Sequence, residues 1–282
     1  MSMRRGGQSM VLSFPPFTPA VKWLLGINTG IYLLTILAGA AGAAAVNSYL
    51  EIYGALRPVD VVHGRLWELL TYAFIHFEFW HWFGNMIAIW MFGSQLEQIW
   101  RSRRFLELFF FSAIGAALTT VVLSYMRVLG NPSAPTIGAS GGVFGLLMAF
   151  GVLFADNEIM MIPFPVQIKA KYFIGILIVI EIIFAIRERG SGIAYLAHLG
   201  GLFFGWVYVR FVPRYGLASG MTERMYGVRN SYYRWKRRRA ARKFQVYMKK
   251  QGREVPFFDE YGNYRGPQTK DEKERGKGPW VN

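Results

Sequence analysis

The chain contains the stretch GASGGVFGLLMAFGVLFA, residues 138–155, in which no side chain is charged and only one carries a hydroxyl. A helix that crosses a bilayer needs about 20 predominantly apolar residues, so this stretch predicts a membrane span. Burying an unpaired hydroxyl in an apolar environment costs about 2–7 kcal/mol. Ser140, near the start of the span, therefore needs either a polar partner or a function.

Five further apolar segments accompany this one in a chain that is 282 residues long and 53% hydrophobic. All are predicted to be helices, because an open strand cannot satisfy its backbone hydrogen bonds in lipid. The first is interpreted as a retained helix and not as a cleaved signal peptide. The sequence thus predicts an all-α membrane protein, a six-transmembrane-helix bundle. The spans are expected at about residues 20–42, 76–96, 105–126, 138–155, 171–187 and 193–212.

The same pattern divides the chain into three regions. We expect a basic N-terminal leader at 1–19, the six-helix domain at 20–212 and a basic cytoplasmic tail at 213–282. Within the domain the long connections are the first outer one at 43–75, the second outer one at 127–137 and an inner one at 156–170. The last two contain prolines, which disfavour helix.

Charge sets the orientation of the predicted spans. With the N-terminus in the cytoplasm, 27 of the 32 Lys and Arg residues lie on the cytoplasmic side. Without the residues beyond Arg214 the bias is still 10 to 5, as the positive-inside rule requires. We therefore expect a multi-pass protein of the plasma (inner) membrane with both termini in the cytoplasm.

The tail is strongly basic, with 19 Lys and Arg but 7 Asp and Glu from Arg210 onward. Its densest part, residues 232–239, mixes basic with aromatic side chains. Such a segment beside a membrane indicates binding to anionic lipids, worth about 1 kcal/mol per cation. Nucleic-acid binding is the weaker interpretation and is not expected, because nothing in the tail resembles a known nucleic-acid-binding module.

Three polar residues fall at one shallow depth in this topology. Spans two, four and six all run from the outer to the inner face, and His81, Ser140 and His198 lie near their starts. Small residues four apart let membrane helices approach closely. Spans four and six each carry such a pair, so we expect them to bring Ser140 and His198 together. The pairs are Gly141 with Gly145 and Gly201 with Gly205.

A serine beside a histidine indicates nucleophilic catalysis, because the hydroxyl is a weak nucleophile until a base removes its proton. His198 is the only histidine outside residues 63–81 and is the candidate base. His81 and Asn85 are four apart and share a helix face. With the Ser140 N–H they are candidate donors to an oxyanion. No acid lies in spans four or six, so we expect a dyad and not a triad.

The remaining polar residues near these spans are interpreted as structural. His76, five residues before His81, faces a different neighbour. Glu181 lies inside span five, where it is expected to pair with a polar group or to reach the outer water. The chain has no cysteine, so thiolate chemistry is excluded.

At these residues the chain resembles the rhomboid family of intramembrane serine proteases, over roughly residues 20–212. The motifs that carry the resemblance are Gly138-Ala139-Ser140-Gly141, His76-x4-His81-x3-Asn85-Met86, His198-x2-Gly201-x3-Gly205, Trp67 with Thr71, and Gly93 with Leu96-Glu97. The resemblance implies that Ser140 is the nucleophile, His198 the general base, and His81 and Asn85 the oxyanion donors. It also implies that Phe144 packs against the imidazole. The expected active-site packing residues are Phe144, Gly138, Gly141, Gly201 and Gly205.

The resemblance further implies cleavage of the transmembrane segments of single-span proteins near the outer face, without cofactor or metal. Two positions depart from the family pattern. Glu68 follows Trp67 where the family usually has arginine, and Trp100-Arg101 stand where it often has glycine. The alternative function is a pseudoprotease that binds membrane helices without cleaving them, although such proteins typically lack the serine or the histidine. A transporter is disfavoured, because it predicts repeats and charges at the midplane.

Overall fold

The computed structural model describes residues 15–126, 131–161, 166–187, 193–212 and 217–252. Most of the expected leader, the tail beyond residue 252, and residues 127–130, 162–165, 188–192 and 213–216 lie outside the described residues. The chain divides into two units, residues 1–216 and 217–282. The first holds all the candidate site residues, and the second contains one long helix.

The described residues are overwhelmingly helical. The helices are α1 Pro19–Ala40, α2 Ala44–Gly54, α3 Pro58–Val62, α4 Glu68–Thr71, α5 Phe79–Ala88, α6 Ser94–Tyr125, α7 Ser140–Leu153, α8 Ala170–Arg187, α9 Ile193–Phe211 and α10 Leu217–Lys250. A turn of 3-10 helix, Tyr72–Phe74, follows α4, and a π-helical turn, Ile89–Gly93, joins α5 to α6. Two helical stretches of the described chain are long and apolar enough to cross a membrane, Pro19–Ala40 and Phe79–Tyr125. Helix α7 is apolar but shorter.

The second stretch is not one straight helix. At Arg101 the backbone leaves the helical region, with φ 62° and ψ 165°. An unbroken helix of 47 residues would be about 70 Å long at 1.5 Å per residue, more than twice the roughly 30 Å of hydrocarbon in a bilayer. A break is therefore required, and it separates the predicted spans 76–96 and 105–126.

Glu97 joins this break to the start of α1. Its carboxylate accepts hydrogen bonds from the backbone N–H of Ala20 at 2.9 Å and of Val21 at 3.0 Å. The Thr18 hydroxyl also donates to it, and the Ser102 hydroxyl donates at 2.5 Å. The first N–H groups of a helix have no partner within the helix and favour a negative charge. Glu97 thus caps α1 and holds the bend with one side chain.

Glycines allow α6, α7 and α9 to pack backbone against backbone. A Cβ on Gly200 of α9 would lie 2.9 Å from the Cα of Ala116 on α6, closer than real Cβ atoms approach. A Cβ on Gly115 of α6 would overlap the ring of Phe204 on α9. Close approach at small residues is how membrane helices associate. These three helices form the framework on which the candidate site is built.

The first outer connection is tied to the loop before α7. Leu56 and Thr136 exchange two backbone hydrogen bonds, each 2.9 Å long, and the N–H of Gly138 donates to the carbonyl of Tyr72 at 2.8 Å. The two predicted outer connections therefore lie at the same end of the bundle, and one of them supports the residues that precede Ser140.

The inner connection contains a hairpin that the sequence analysis did not predict. Strands β1 Glu158–Met161 and β2 Val166–Lys169 pair antiparallel, with Ile159 opposite Ile168. Each strand of this two-stranded sheet leaves the backbone groups of its outer edge to other partners such as water, which is present outside lipid but not inside it. The sequence analysis expected only a proline-containing connection at 156–170, since its expectation of helix applied to the six spans.

Candidate active site

Ser140 is the first residue of α7 and is 9% exposed. Gly138, two residues earlier, has φ +107°, a conformation that side chains rarely adopt, and the His81 ring occupies the space where its Cβ would stand. The first amides of a helix lack intrahelical partners. The loop therefore places a hydroxyl beside amides that have no partner within the helix, with the His81 imidazole against the turn that leads to them.

Helices α7 and α9 are in backbone contact at two levels. A Cβ on Gly201 would lie 3.0 Å from the carbonyl carbon of Gly141, and a Cβ on Gly205 would lie 2.7 Å from the Cα of Gly145. The structure thus brings together the two glycine pairs singled out in the sequence. Since Ser140 precedes Gly141 and His198 lies one turn before Gly201, the same contact sets both polar residues at one end of the α7–α9 seam.

The His198 imidazole is held at one face and at one ring nitrogen. It stacks on the ring of Phe144, with centroids 4.2 Å apart and planes 11° from parallel. Phe144 is four residues after Ser140, so the two side chains share one face of α7. The Nδ1 atom of His198 lies 2.9 Å from Oε2 of Glu181. The ring is thereby placed on the Ser140 face of α7 with its Nε2 edge not engaged by that carboxylate.

His81, Asn85 and His76 form a separate network beside the loop. The Asn85 amide nitrogen lies 3.1 Å from Nε2 of His76 and donates to the carbonyl of His81 at 3.0 Å. The N–H of Ala139 also donates to Nε2 of His76, at 3.3 Å. A ring nitrogen that accepts two hydrogen bonds carries no proton, so His76 has its proton on Nδ1 and links α5 to the loop. Both amide hydrogens of Asn85 have protein acceptors, whereas the His81 ring faces Gly138.

Glu181 is a neighbour of His198 that the sequence analysis did not identify. The expectation of a dyad considered acids only in spans four and six, whereas this carboxylate comes from α8. Its polar partner, anticipated in general terms, is His198 itself. The sequence did show Glu181 as an acid inside an apolar run. Which neighbour such an acid contacts depends on how its helix is rotated about its own axis, and the sequence pattern does not give that rotation.

The Rhomboid domain family model matches residues 63–215, more than half of the chain and all the residues just described. The chain belongs to the rhomboid family. Rhomboid protein 1, mitochondrial, of Saccharomyces cerevisiae is 31% identical over 71% of this chain and 57% of its own length. Rhomboid protease GluP of Bacillus subtilis is 28% identical over 62% of this chain and 31% of its own length. Rhomboid protease AarA of Providencia stuartii is 25% identical over 64% of this chain and 68% of its own length. The chain thus spans little more than half of the yeast relative and about a third of the Bacillus one.

Glu68 lies within the rhomboid domain, where the family usually has arginine after the tryptophan. Its side chain is fully buried, accepts the backbone N–H of Arg57 at 3.0 Å and lies 3.6 Å from Nη1 of Arg65. Burial raises the pKa of the Glu68 carboxyl above its usual range, against the opposing effects of the Arg57 hydrogen bond and the Arg65 charge. The acid that stands in place of a base is therefore accommodated by partners inside the first outer connection.

Proposed function

We propose that this protein is an intramembrane serine endopeptidase that cleaves transmembrane segments of other membrane proteins, with Ser140 as nucleophile and His198 as general base. The observation that carries the proposal is the placement of the His198 ring, stacked on Phe144 and bonded through Nδ1, at the Ser140 end of the α7–α9 seam. Two of the relatives, from Bacillus subtilis and Providencia stuartii, bear the name rhomboid protease.

The proposed reaction follows from these positions. Nε2 of His198 takes the proton of the Ser140 hydroxyl as its oxygen attacks the scissile carbonyl, and the imidazolium gives that proton to the departing amine. Water then hydrolyses the acyl-enzyme by the same relay. The Ser140 N–H and the His81 ring, which lies against Gly138, are the candidate donors to the oxyanion. One such donor typically contributes about 2.7–4 kcal/mol to the barrier. Asn85 joins them only if its amide exchanges a protein acceptor for the oxyanion.

The proposed membrane arrangement has six spans, with both termini in the cytoplasm of the plasma (inner) membrane. The break at Arg101 supports the division of Phe79–Tyr125 into two of these spans. The hydrogen bonds between Leu56 and Thr136 support a common outer face for the two outer connections. The excess of Lys and Arg on one side supports the placement of both termini in the cytoplasm.

A single-span substrate is proposed to enter from the lipid beside α8. The buried positions of this helix are Ala170, Ile174, Glu181 and Ala185, all on one narrow stripe, and the rest of its surface is largely exposed. A helix held along one stripe is displaced more easily than α7, which is buried on most of its surface. The scissile segment then has to leave its own helix, because helical hydrogen bonds occupy the carbonyls that Ser140 must attack.

The decisive experiment uses protein reconstituted in liposomes with a model single-span substrate. Ser140→Ala and His198→Ala are each expected to reduce cleavage to background, and Ser140→Ala to abolish labelling by a fluorophosphonate probe. Gly30→Ala on α1 is the control, since a Cβ there meets no atom within 4 Å. Cleavage retained in either variant contradicts the role given to that residue. A folded wild-type protein that binds the substrate but neither cleaves nor is labelled is the pseudoprotease.

The tail is proposed to bind anionic lipid headgroups. Helix α10 carries eleven Lys and Arg residues and one acid. Tyr232, Tyr233 and Trp235 are each more than half exposed, and the Arg239 guanidinium lies 5.4 Å from the centre of the Trp235 ring. Amphipathic aromatic rings among cations suit the interface of a charged bilayer.

A further inference from the structure

We infer that Glu181 is a positioning residue for the general base, so that the site operates as a serine–histidine–glutamate relay whose acid is supplied by α8. The inference rests on the proposed function and extends it by one residue. It replaces the expected dyad, which was derived from the absence of acids in two other spans.

The contact between Glu181 and His198 is short, buried and specific. Oε2 lies 2.9 Å from Nδ1, and the two side chains are 9% and 17% exposed. Glu181 lies on the buried stripe of α8, whose other members are Ala170, Ile174 and Ala185. An ionisable group within a span is costly and in most cases faces a partner inside the bundle. Here that partner is the residue proposed to move the proton.

The bond has two consequences for the imidazole. Because a carboxylate only accepts, the hydrogen on Nδ1 points at Glu181, and the lone pair on Nε2 is left for the Ser140 proton. Phe144 fixes the plane of the same ring. Carboxylate and stacked ring together define the tautomer and the direction of Nε2.

The carboxylate also stabilises the charge that develops during the reaction. When Nε2 accepts the serine proton, the ring becomes an imidazolium, and its hydrogen bond to the Glu181 carboxylate becomes an ion pair in which donor and acceptor are both charged. The proton goes from the Ser140 oxygen to Nε2 and then to the amine of the leaving peptide, and none passes to Glu181. Other charges near the ring are few among the described residues. His81 on α5 is close enough to interact with His198, and Tyr195 contacts the ring by its edge.

A role in positioning makes predictions that a role in stability does not. If the carboxylate is needed only for folding, its loss reduces the number of competent sites. If it orients the base, its loss reduces the turnover of every site. Counting sites by end-point labelling with a fluorophosphonate separates the two. Full-length protein in liposomes, assayed with the single-span substrate, gives kcat per labelled site and KM.

Glu181→Gln, which keeps the shape and removes the charge, is expected to lower kcat per site by about 10²-fold or more, in the range associated with general-base catalysis. KM is expected to stay within about threefold, since the carboxylate faces the base and not the substrate. Glu181→Asp, one methylene shorter, should recover part of the loss. Glu51→Gln is the control, an acid half-exposed in α2.

Each outcome decides the inference. Wild-type kcat per labelled site in Glu181→Gln overturns it and leaves the proposed function standing. Wild-type protein no more active than Ser140→Ala overturns the proposed function and this inference with it. If Glu181→Gln does not fold, Glu181→Asp decides, with lowered kcat per site in support and unchanged kcat against.

Discussion

At the scale of single residues, Glu68 illustrates how burial and charge compete. Its folded-state pKa is raised above the ordinary value of 4.5, mainly by desolvation. A group with a raised folded-state pKa contributes stability that is fully present below its unfolded pKa and is lost as the pH rises through the folded value. Because Gln does not titrate, the stability difference between wild type and Glu68→Gln isolates this contribution.

We predict that this difference shifts against the wild type as the pH rises from about the ordinary pKa of a glutamate toward neutrality. The measurement is the apparent Tm of both proteins in one detergent across that range. Glu51→Gln, at an acid with a half-exposed side chain, should show a much smaller trend. A difference that stays flat, or that moves toward the wild type, contradicts the assignment of burial as the dominant effect.

Phe144 gives a second prediction at the residue scale. Its ring is stacked 4.2 Å from the His198 ring, and aromatic pairs of this kind contribute about 0.5–1.5 kcal/mol beyond area burial. Phe144→Ala should therefore lower kcat per labelled site by roughly 2- to 12-fold, and Phe144→Tyr should retain most of it. Phe92→Ala is the control, because Phe92 stacks on Phe173 and not on His198. A Phe144→Ala enzyme with unchanged turnover per site would show that the ring is held without the stack.

At the scale of elements, the seam between α7 and α9 depends on the absence of side chains. At Gly205 a Cβ would lie 2.7 Å from the backbone of Gly145, which has no rotamer through which to move away. We predict that Gly205→Ala destabilises the protein by about 1–3 kcal/mol, as overpacking does, and lowers activity by separating Ser140 from His198. Gly175→Ala, in open space on α8, should be neutral or stabilising by up to about 1 kcal/mol. Equal Tm values for the two variants would contradict this close contact.

The bend at Arg101 gives the next prediction. Its φ of 62° and ψ of 165° lie at the edge of a region occupied almost only by glycine, and an occupant with a side chain costs about 1–3 kcal/mol. Arg101→Gly is therefore expected to raise the apparent Tm, whereas Arg101→Ala, which keeps a Cβ, is not. Arg103→Gly, two residues on in an exposed helical position, should lose about 1 kcal/mol. A loss of stability in Arg101→Gly would show that this side chain stabilises the bend more than its backbone strains it.

The sequence predicts those elements whose structure is determined by neighbouring residues, and not those determined by contacts between distant segments. The runs at 171–187 and 193–212 coincide with the described α8 and α9, because the length of an apolar run can be read directly from the sequence. The hairpin was not predicted, since four-residue strands are too short for a periodic pattern. The only sign of the bend in the sequence is that Trp100 and Arg101 occupy a stretch where the family often has a glycine. The contact between Glu181 and His198 joins two helices and depends on their rotation, which no local pattern encodes.

At the scale of the whole molecule, the candidate site is assembled from segments far apart in sequence. Tyr72 in the first outer connection holds Gly138, α5 supplies His81, and α8 and α9 supply Glu181 and His198. Every one of these segments belongs to the first unit, residues 1–216. The chemistry is thus proposed to reside in that unit, and the basic tail is left for a different task.

The tail prediction tests that division in full-length protein. The chain contains no cysteine, so Ser231→Cys on α10 accepts a single environment-sensitive dye. In proteoliposomes that contain anionic lipid the dye is expected to report an apolar environment. In zwitterionic proteoliposomes the dye is expected to report a polar environment. The same is expected at high salt, where charges are screened within about 3 Å. Replacing Arg237, Arg238 and Arg239 by Gln removes about 3 kcal/mol of binding free energy to the anionic membrane, at about 1 kcal/mol per cation. That loss weakens membrane binding by the tail roughly 100-fold. Cleavage of the model substrate by the same variant in zwitterionic liposomes should be unchanged. A dye signal that is the same in both lipids would mean that the cations of α10 serve some partner other than the bilayer.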